Sequence, residues 1–214
     1  MPTRSEVISQ LLDPGVIPVI RASKSEHVLP VCEALLAGGL NTLEITMTTP
    51  NALELIQQAS KRFSDRAVIG AGTVMNPAMC LDAIKAGASF VVSPVMVPGI
   101  AHVAQGADCV SIIGAFTPTE AQLAHEAGAD FIKIFPADSP AFIKAILSPM
   151  PHLKLIPTSG INLKNAPEYF AIGCPLVGVA SNLVSAKIMQ EENWTELTRL
   201  AAEFVAMARK APRK

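Results

Sequence analysis

Eight short apolar runs rich in valine and isoleucine alternate with amphipathic stretches along the chain, and Gly, Pro, Asn or Thr stand at the junctions. Alternation of this kind is the pattern of βα units around a parallel sheet. Strands are expected near 16–20, 42–46, 67–71, 89–92, 110–114, 130–134, 153–157 and 175–178, with helices between them. A short extra helix at 3–12 precedes the first strand. The last helix, about 194–209, has Asn193 as its cap, Glu196 three residues later, and an apolar stripe of Leu197, Leu200, Ala201, Phe204 and Ala208. Four related phrases recur: Ala37-Gly38-Gly39, Ala86-Gly87-Ala88, Glu126-Ala127-Gly128-Ala129 and Ala171-Ile172-Gly173. Each is expected to end a helix on glycine just before a strand. Eight such units close best as a (β/α)8 TIM barrel. The competing doubly wound sheet needs a reversal of strand order that nothing in the sequence signals.

With 214 residues the chain is expected to form one barrel domain spanning 1–214. Half of its residues are hydrophobic and 16% are charged, which excludes disorder and suggests that part of the surface is buried in a homo-oligomer. A net charge of -1 without a basic stripe excludes a nucleic-acid partner, and Lys210 to Lys214 reads as a solvated tail. Cys32, Cys80, Cys109 and Cys174 are scattered and read as small buried hydrophobes, not disulfides or zinc ligands. His27, His102, His125 and His152 show no metal-binding spacing and are expected mostly on helix surfaces and loops. No metal and no cofactor are expected. There is no leader pattern and no run of about 18 apolar residues, so the expectation is a soluble cytoplasmic protein without a membrane partner.

In a barrel the chemistry lies at the C-terminal ends of the strands. The sixth strand carries one lysine in an oily stretch, Phe131-Ile132-Lys133-Ile134-Phe135-Pro136. Alternation puts Ile132 and Ile134 on one face and Phe131, Lys133 and Phe135 on the other, so Lys133 is expected to point inward between aromatic rings. Burial without a fixed anion favours a neutral amine, which can attack a carbonyl. The competing reading is a lysine whose head reaches water or pairs with a carboxylate. On the second strand, Leu43 and Ile45 face the helices while Thr42, Glu44 and Thr46 turn inward. Strands two and six stand opposite each other in a ring of eight, so Glu44 faces Lys133 across the mouth. A carboxylate in a partly apolar pocket can move protons near neutral pH, and a purely structural ion pair is the alternative.

Strand three ends in Gly70-Ala71-Gly72-Thr73, where small residues let backbone approach a ligand and Thr73 offers a hydroxyl to a carboxylate oxygen; the phrase also fits a plain turn. Ser93-Pro94, Phe116-Thr117-Pro118-Thr119-Glu120 and Thr158-Ser159-Gly160-Ile161-Asn162 follow the same design, with Thr117 or Thr119 free to serve only as a helix cap. Gly178-Val179-Ala180-Ser181 closes strand eight, where barrels often hold phosphate. Arg21, at the end of strand one and beside strand eight, can supply a cation to the same anion or lie on the surface.

Taken together, Pro18-Val19-Ile20-Arg21, Leu43-Glu44-Ile45-Thr46, Gly70-Ala71-Gly72-Thr73, Ser93-Pro94, Lys133-Ile134-Phe135-Pro136 and Pro157-Thr158-x-Gly160-Ile161 resemble the class I aldolases for 2-keto-3-deoxy-6-phosphogluconate (KDPG) and 4-hydroxy-2-oxoglutarate (KHG). The resemblance covers nearly the whole chain. It implies metal-free, reversible cleavage to pyruvate and either glyceraldehyde 3-phosphate or glyoxylate by a homotrimer of barrels. It also implies that Lys133 forms the Schiff base, Glu44 moves protons with a bound water, Thr73 and Pro94 line the pyruvate half, and Phe135 packs beside the imine. Thr158, Ser159, Gly160 and Ser181 fall in the region for the distal substrate group.

The sequence departs from the family pattern in three places. Many members carry an arginine after strand two where Met47-Thr48 stands here; some keep one at the end of strand one, which makes Arg21 the substitute. The strand-seven loop has Ser159-Gly160 in place of Gly-Gly, and Ala180 replaces the glycine before the strand-eight serine. Both of these changes add a Cβ where backbone amides approach phosphate. An aldolase for an unphosphorylated 2-keto-3-deoxy aldonate is therefore a competing reading. A phosphate-binding epimerase or thiamine phosphate synthase-like transferase is another, although metal ligands and a richer glycine pair are missing. A non-catalytic barrel is a third, against which the placement of Lys133 and Glu44 argues.

Overall fold

The computed structural model describes residues 2–213; Met1 and Lys214 lie outside the described residues. Eight strands form one parallel sheet: β1 (Val16–Ile20), β2 (Thr42–Thr46), β3 (Val68–Gly72), β4 (Phe90–Val92), β5 (Val110–Ala115), β6 (Phe131–Ile134), β7 (Leu155–Pro157) and β8 (Val177–Val179). Their spatial order is the chain order, with β8 paired to β1 and a Thr158–Gly178 bridge joining β7 to β8. No strand order reverses, so the sheet curls into a nearly closed TIM-type barrel, and the doubly wound alternative is removed.

Helices follow the strands in turn: α2 (Val28–Ala37), α3 (Ala52–Arg62), α4 (Pro77–Lys85), α5 (Pro98–Gly106), α6 (Pro118–Glu126), α7 (Pro140–Leu147), α8 (Ala166–Ala171) and, after β8, α9 (Ala186–Gln190) and α10 (Trp194–Lys210). The five-residue α9 was not anticipated; a single turn is too short to show an apolar period. The recurring glycine phrases end helices as expected: Gly39, Gly87, Gly128 and Gly173 have φ of 90°, 105°, 87° and 105°, a conformation only glycine adopts cheaply. Thr117 and Asn193 cap α6 and α10, each accepting a hydrogen bond from a backbone N–H three residues on.

Side-chain alternation divides the core as period two requires. Leu43, Ile45, Ile132 and Ile134 lie in the layer between sheet and helices, whereas Ile17, Val68, Phe90, Val110, Ile112, Phe131 and Ile156 fill the barrel interior. The N-terminal end of that interior is plugged by α1 (Arg4–Leu12), whose Val7 and Leu11 join the inner cluster. Thr3 caps α1, and Arg4 anchors it through a 2.6 Å ion pair with Asp130, which also accepts from the Ser111 N–H at 2.9 Å. The barrel's lower half is filled by hydrocarbon, and a cavity is left at the C-terminal strand ends. All four cysteines are buried, and desolvation pushes the Cys32, Cys109 and Cys174 thiols up to about 12, consistent with inert packing groups.

One expectation needs correction. Of the stretch Lys210 to Lys214, read as a solvated tail, Lys214 lies outside the described residues and the rest is not simply solvated: Lys210 ends α10, and Arg213 folds back to donate to the Pro14, Leu12 and Pro175 carbonyls, with its guanidinium 4.6 Å from the Phe170 ring centroid. An arginine stem can cover apolar surface while its planar head stacks, which sequence polarity alone does not reveal. Arg213→Ala is expected to lower the melting temperature by about 3–6 °C, roughly 1.5 kcal/mol, without changing turnover. Differential scanning calorimetry checks this. His102, His125 and His152 are exposed as expected, and His27 is the exception: it is 6% exposed at the start of α2, with its ring edge-to-face against Trp194 at 5.9 Å.

Candidate active site

The strand ends converge on a cavity of about 230 Å³. Arg21 enters it from β1, Thr73 from β3, Pro94 from β4, Lys133 and Phe135 from β6, Thr158, Ser159 and Gly160 from β7, and Ser181 from β8. Nine of the ten residues picked out in the sequence thus share one chamber. Glu44 is the tenth, and it lies in the wall of the barrel, not on the surface of the cavity.

Lys133 is 7% exposed on β6, opposite β2 in the ring. The expectation of two flanking aromatic rings is half met. Its Nζ lies 5.3 Å from the Phe135 centroid, but Phe131 belongs to the interior cluster and instead faces the Lys154 ammonium at 5.7 Å. The two-residue stride along a strand puts Phe131 a full layer below Lys133, so only the ring above it can reach the amine.

Glu44 is 3% exposed, and its Oε1 has no hydrogen-bond partner among the described residues. Desolvation raises its pKa above the ordinary carboxylate value, while positive charge at Lys133 and Arg21 pulls the other way. The carboxylate fits only because β3 supplies glycine beside it: a Cβ on Gly72 would stand 2.0 Å from Oε1. Gly72 therefore does more than shape a turn, since its missing side chain leaves room for the Glu44 carboxylate, as that of Gly70 does for the Phe90 ring.

Arg21 is solvent-accessible but not loose. One guanidinium nitrogen donates to the Thr48 hydroxyl and the other to the Thr73 hydroxyl at 3.4 Å. Thr48 is in turn within 3.1 Å of Thr46. Thr48 thus holds the arginine arriving from β1. Thr73 has φ +59° and Ser159 φ +86°, left-handed conformations that cost a side-chain-bearing residue energy and that cluster at functional sites.

Three contributors were missed as site residues. Ser93 is fully buried, accepts from the Gly114 N–H at 3.1 Å and donates to the Val95 carbonyl at 2.8 Å, fixing the loop that presents Pro94. Asn182 lines the cavity and donates to the Ile161 carbonyl at 2.8 Å, tying the β8 loop to the β7 loop. Its neighbour Ser181 was the available signal. Val19 lines the floor through β1 and carries no sequence mark beyond being apolar. No group of three or more His, Cys, Asp or Glu among the described residues is arranged to hold a metal ion, and no helix among them is long and apolar enough to cross a membrane.

A buried amine and a buried carboxylate flanking a small polar chamber, with a fixed guanidinium at its edge, suit covalent chemistry on a small anionic carbonyl compound. Comparison with known proteins agrees. The sequence profile of the KDPG and KHG aldolase family matches residues 7–200. A 2-dehydro-3-deoxy-phosphogluconate aldolase of Dickeya dadantii is 36% identical over 203 residues, covering 93% of this chain and 95% of that protein. A KHG/KDPG aldolase of Escherichia coli is 34% identical, covering 91% and 92%. Among solved structures, the KDPG aldolase of Legionella pneumophila, with pyruvate captured as a covalent carbinolamine intermediate, superimposes with a TM-score of 0.83 at 34% identity over 94% of this chain and 97% of that one. The chain accordingly belongs to the KDPG and KHG aldolase family, and its chemistry is that of an aldolase, a carbon–carbon lyase.

Proposed function

We propose that this barrel, working as one domain, cleaves KDPG to pyruvate and glyceraldehyde 3-phosphate, KHG to pyruvate and glyoxylate, or both, through a Schiff base on Lys133. The observation that carries the proposal is a single lysine, 7% exposed, opening into the cavity that gathers the strand-end residues. The Lys133 amine adds to the C2 carbonyl, and loss of water gives an iminium. The C3–C4 bond then breaks as a bound water relays the proton of the C4 hydroxyl to Glu44, releasing the aldehyde. The electron pair moves into an enamine, Glu44 returns a proton to C3 through the same water, and hydrolysis frees pyruvate and the amine. Thr73 and Arg21 receive the carboxylate of the keto acid, Pro94 and Phe135 enclose its methyl end, and Thr158, Ser159, Gly160 and Ser181 take the distal group. A carbinolamine captured in the Legionella relative supports the same covalent step here.

No metal or cofactor enters this reaction. The working assembly is a homotrimer in the cytoplasm, and exposed Val95 and Phe116 offer apolar surface for subunit contact. The test is pyruvate release from KDPG, KHG and an unphosphorylated 2-keto-3-deoxy aldonate. A working phosphate clamp should raise kcat/KM for KDPG over its unphosphorylated counterpart by about two orders of magnitude, roughly 3 kcal/mol. Equal values would remove phosphate recognition, and no pyruvate from any of the three would remove the proposal.

A further inference from the structure

Arg21 and Thr48 also border a second cavity, of about 480 Å³, on the other side of the β1 loop, where Lys24, His27, Gln190 and Glu192 complete the part that matters. Its charge is mainly basic. Lys24 meets Glu26 at 3.5 Å, but both side chains are mostly in solvent, where such a pair holds weakly. His27 is the unusual member: neither ring nitrogen has a hydrogen-bond partner, although both are buried. The nearest charge is Glu192 Oε1, 3.5 Å from Nε2. Glu192 itself is 64% exposed at the side chain and sits at φ +49°. A buried imidazole without partners is costly and is a feature in search of a ligand. The Trp194 ring packed edge-on against it fixes its orientation.

We propose that this outer cavity is a second anion site, distinct from the substrate chamber, which takes a tetrahedral oxyanion such as a phosphate group. Its oxygens would accept from Lys24, from His27 Nε2 in place of Glu192, from the Gln190 amide, and from guanidinium N–H groups of Arg21 not used on Thr48 and Thr73. The cavity is larger than an inorganic phosphate requires, so a phosphate ester with a short carbon chain fits the space better than the free ion. Because one guanidinium serves both chambers, an occupant here draws Arg21 away from the keto-acid end, and the effect on substrate is a rise in KM that levels off once the outer site is full.

Titration calorimetry with inorganic phosphate and with glycerol 3-phosphate, alongside histidine side-chain NMR, tests the site independently of the proposed cleavage reaction. Both probes should shift the His27 resonances and still bind when pyruvate is saturating, and Lys24→Glu should weaken both by about tenfold or more. In phosphate-free buffer Lys24→Gln, which removes the ammonium without placing an anion beside Arg21, should leave kcat/KM unchanged and weaken both probes in the same direction. Tighter binding of the ester supports a phosphate-ester ligand, and equal binding supports the anion site with free phosphate as its source. Undiminished binding in Lys24→Glu, displacement of the probes by pyruvate, no shift at His27, or no binding through the millimolar range would each overturn the proposal.

Discussion

Lys133→Ala is expected to reduce turnover by at least about 10⁴-fold, the scale on which enzymes lose activity when a covalent nucleophile is deleted. Among the described residues no other lysine lines the chamber. Lys154, from the loop entering β7, is turned to the opposite end of the barrel, where it lies over Phe131. Borohydride reduction in the presence of pyruvate should add mass to Lys133 in the native protein and to nothing in the variant. Lys133→Arg separates charge from nucleophilicity: it restores a cation near Glu44 but cannot condense with a ketone, so it too should be inactive. Neither change touches the apolar plug below, built from Val7, Leu11, Phe90 and Phe131, so thermal unfolding should remain cooperative. A Lys133→Ala protein that retained a tenth of native turnover would exclude the Schiff-base route.

The barrel was legible because its grammar is local. Gly39, Gly87, Gly128 and Gly173 ended their helices where expected, and alternation on β2 and β6 assigned the inward faces correctly, so Glu44 and Lys133 fell on the same side of the sheet. The expected starts of β7 and β8 fall two residues early, at Leu153 and Pro175, and β8 runs one residue further, to Val179, than expected. What was hidden depends on contacts distant in sequence. The Gly72 to Glu44 fit joins residues on neighbouring strands, and the Arg21 to Thr48 and Thr73 bonds join three loops. His27 escaped because its burial comes from α10 through Trp194, far along the chain. Arg213 escaped because charge at a terminus reads as solvation, and only the fold brings the Phe170 ring and three carbonyls to it.

Glu44→Gln should lower kcat by about 10²- to 10⁴-fold, the usual contribution of a positioned acid–base group, while preserving shape. The two steps assigned to Lys133 and Glu44 can be separated in solution. If Glu44 moves protons at C3, the variant should stop exchanging the methyl protons of pyruvate with deuterated solvent, yet Lys133 should still be trapped by borohydride, more slowly. Exchange at the native rate would deny Glu44 its role and leave the Schiff base intact. The direction of the pH effect follows from burial. Desolvation raises the carboxyl above its ordinary 4.5 in the folded protein, so the folded state holds the proton more tightly than the unfolded chain does. That preference favours folding fully below pH 4.5 and is lost as pH climbs through the raised value, where the buried group must ionise. Glutamine carries no such burden. The variant and native protein should therefore melt at similar temperatures below pH 4.5, and the variant should become the more stable of the two as pH rises, over the same interval in which the native enzyme gains its catalytic base. A stability difference that narrowed on going to higher pH would mean that the carboxylate is better solvated than its 3% exposure and orphaned Oε1 imply.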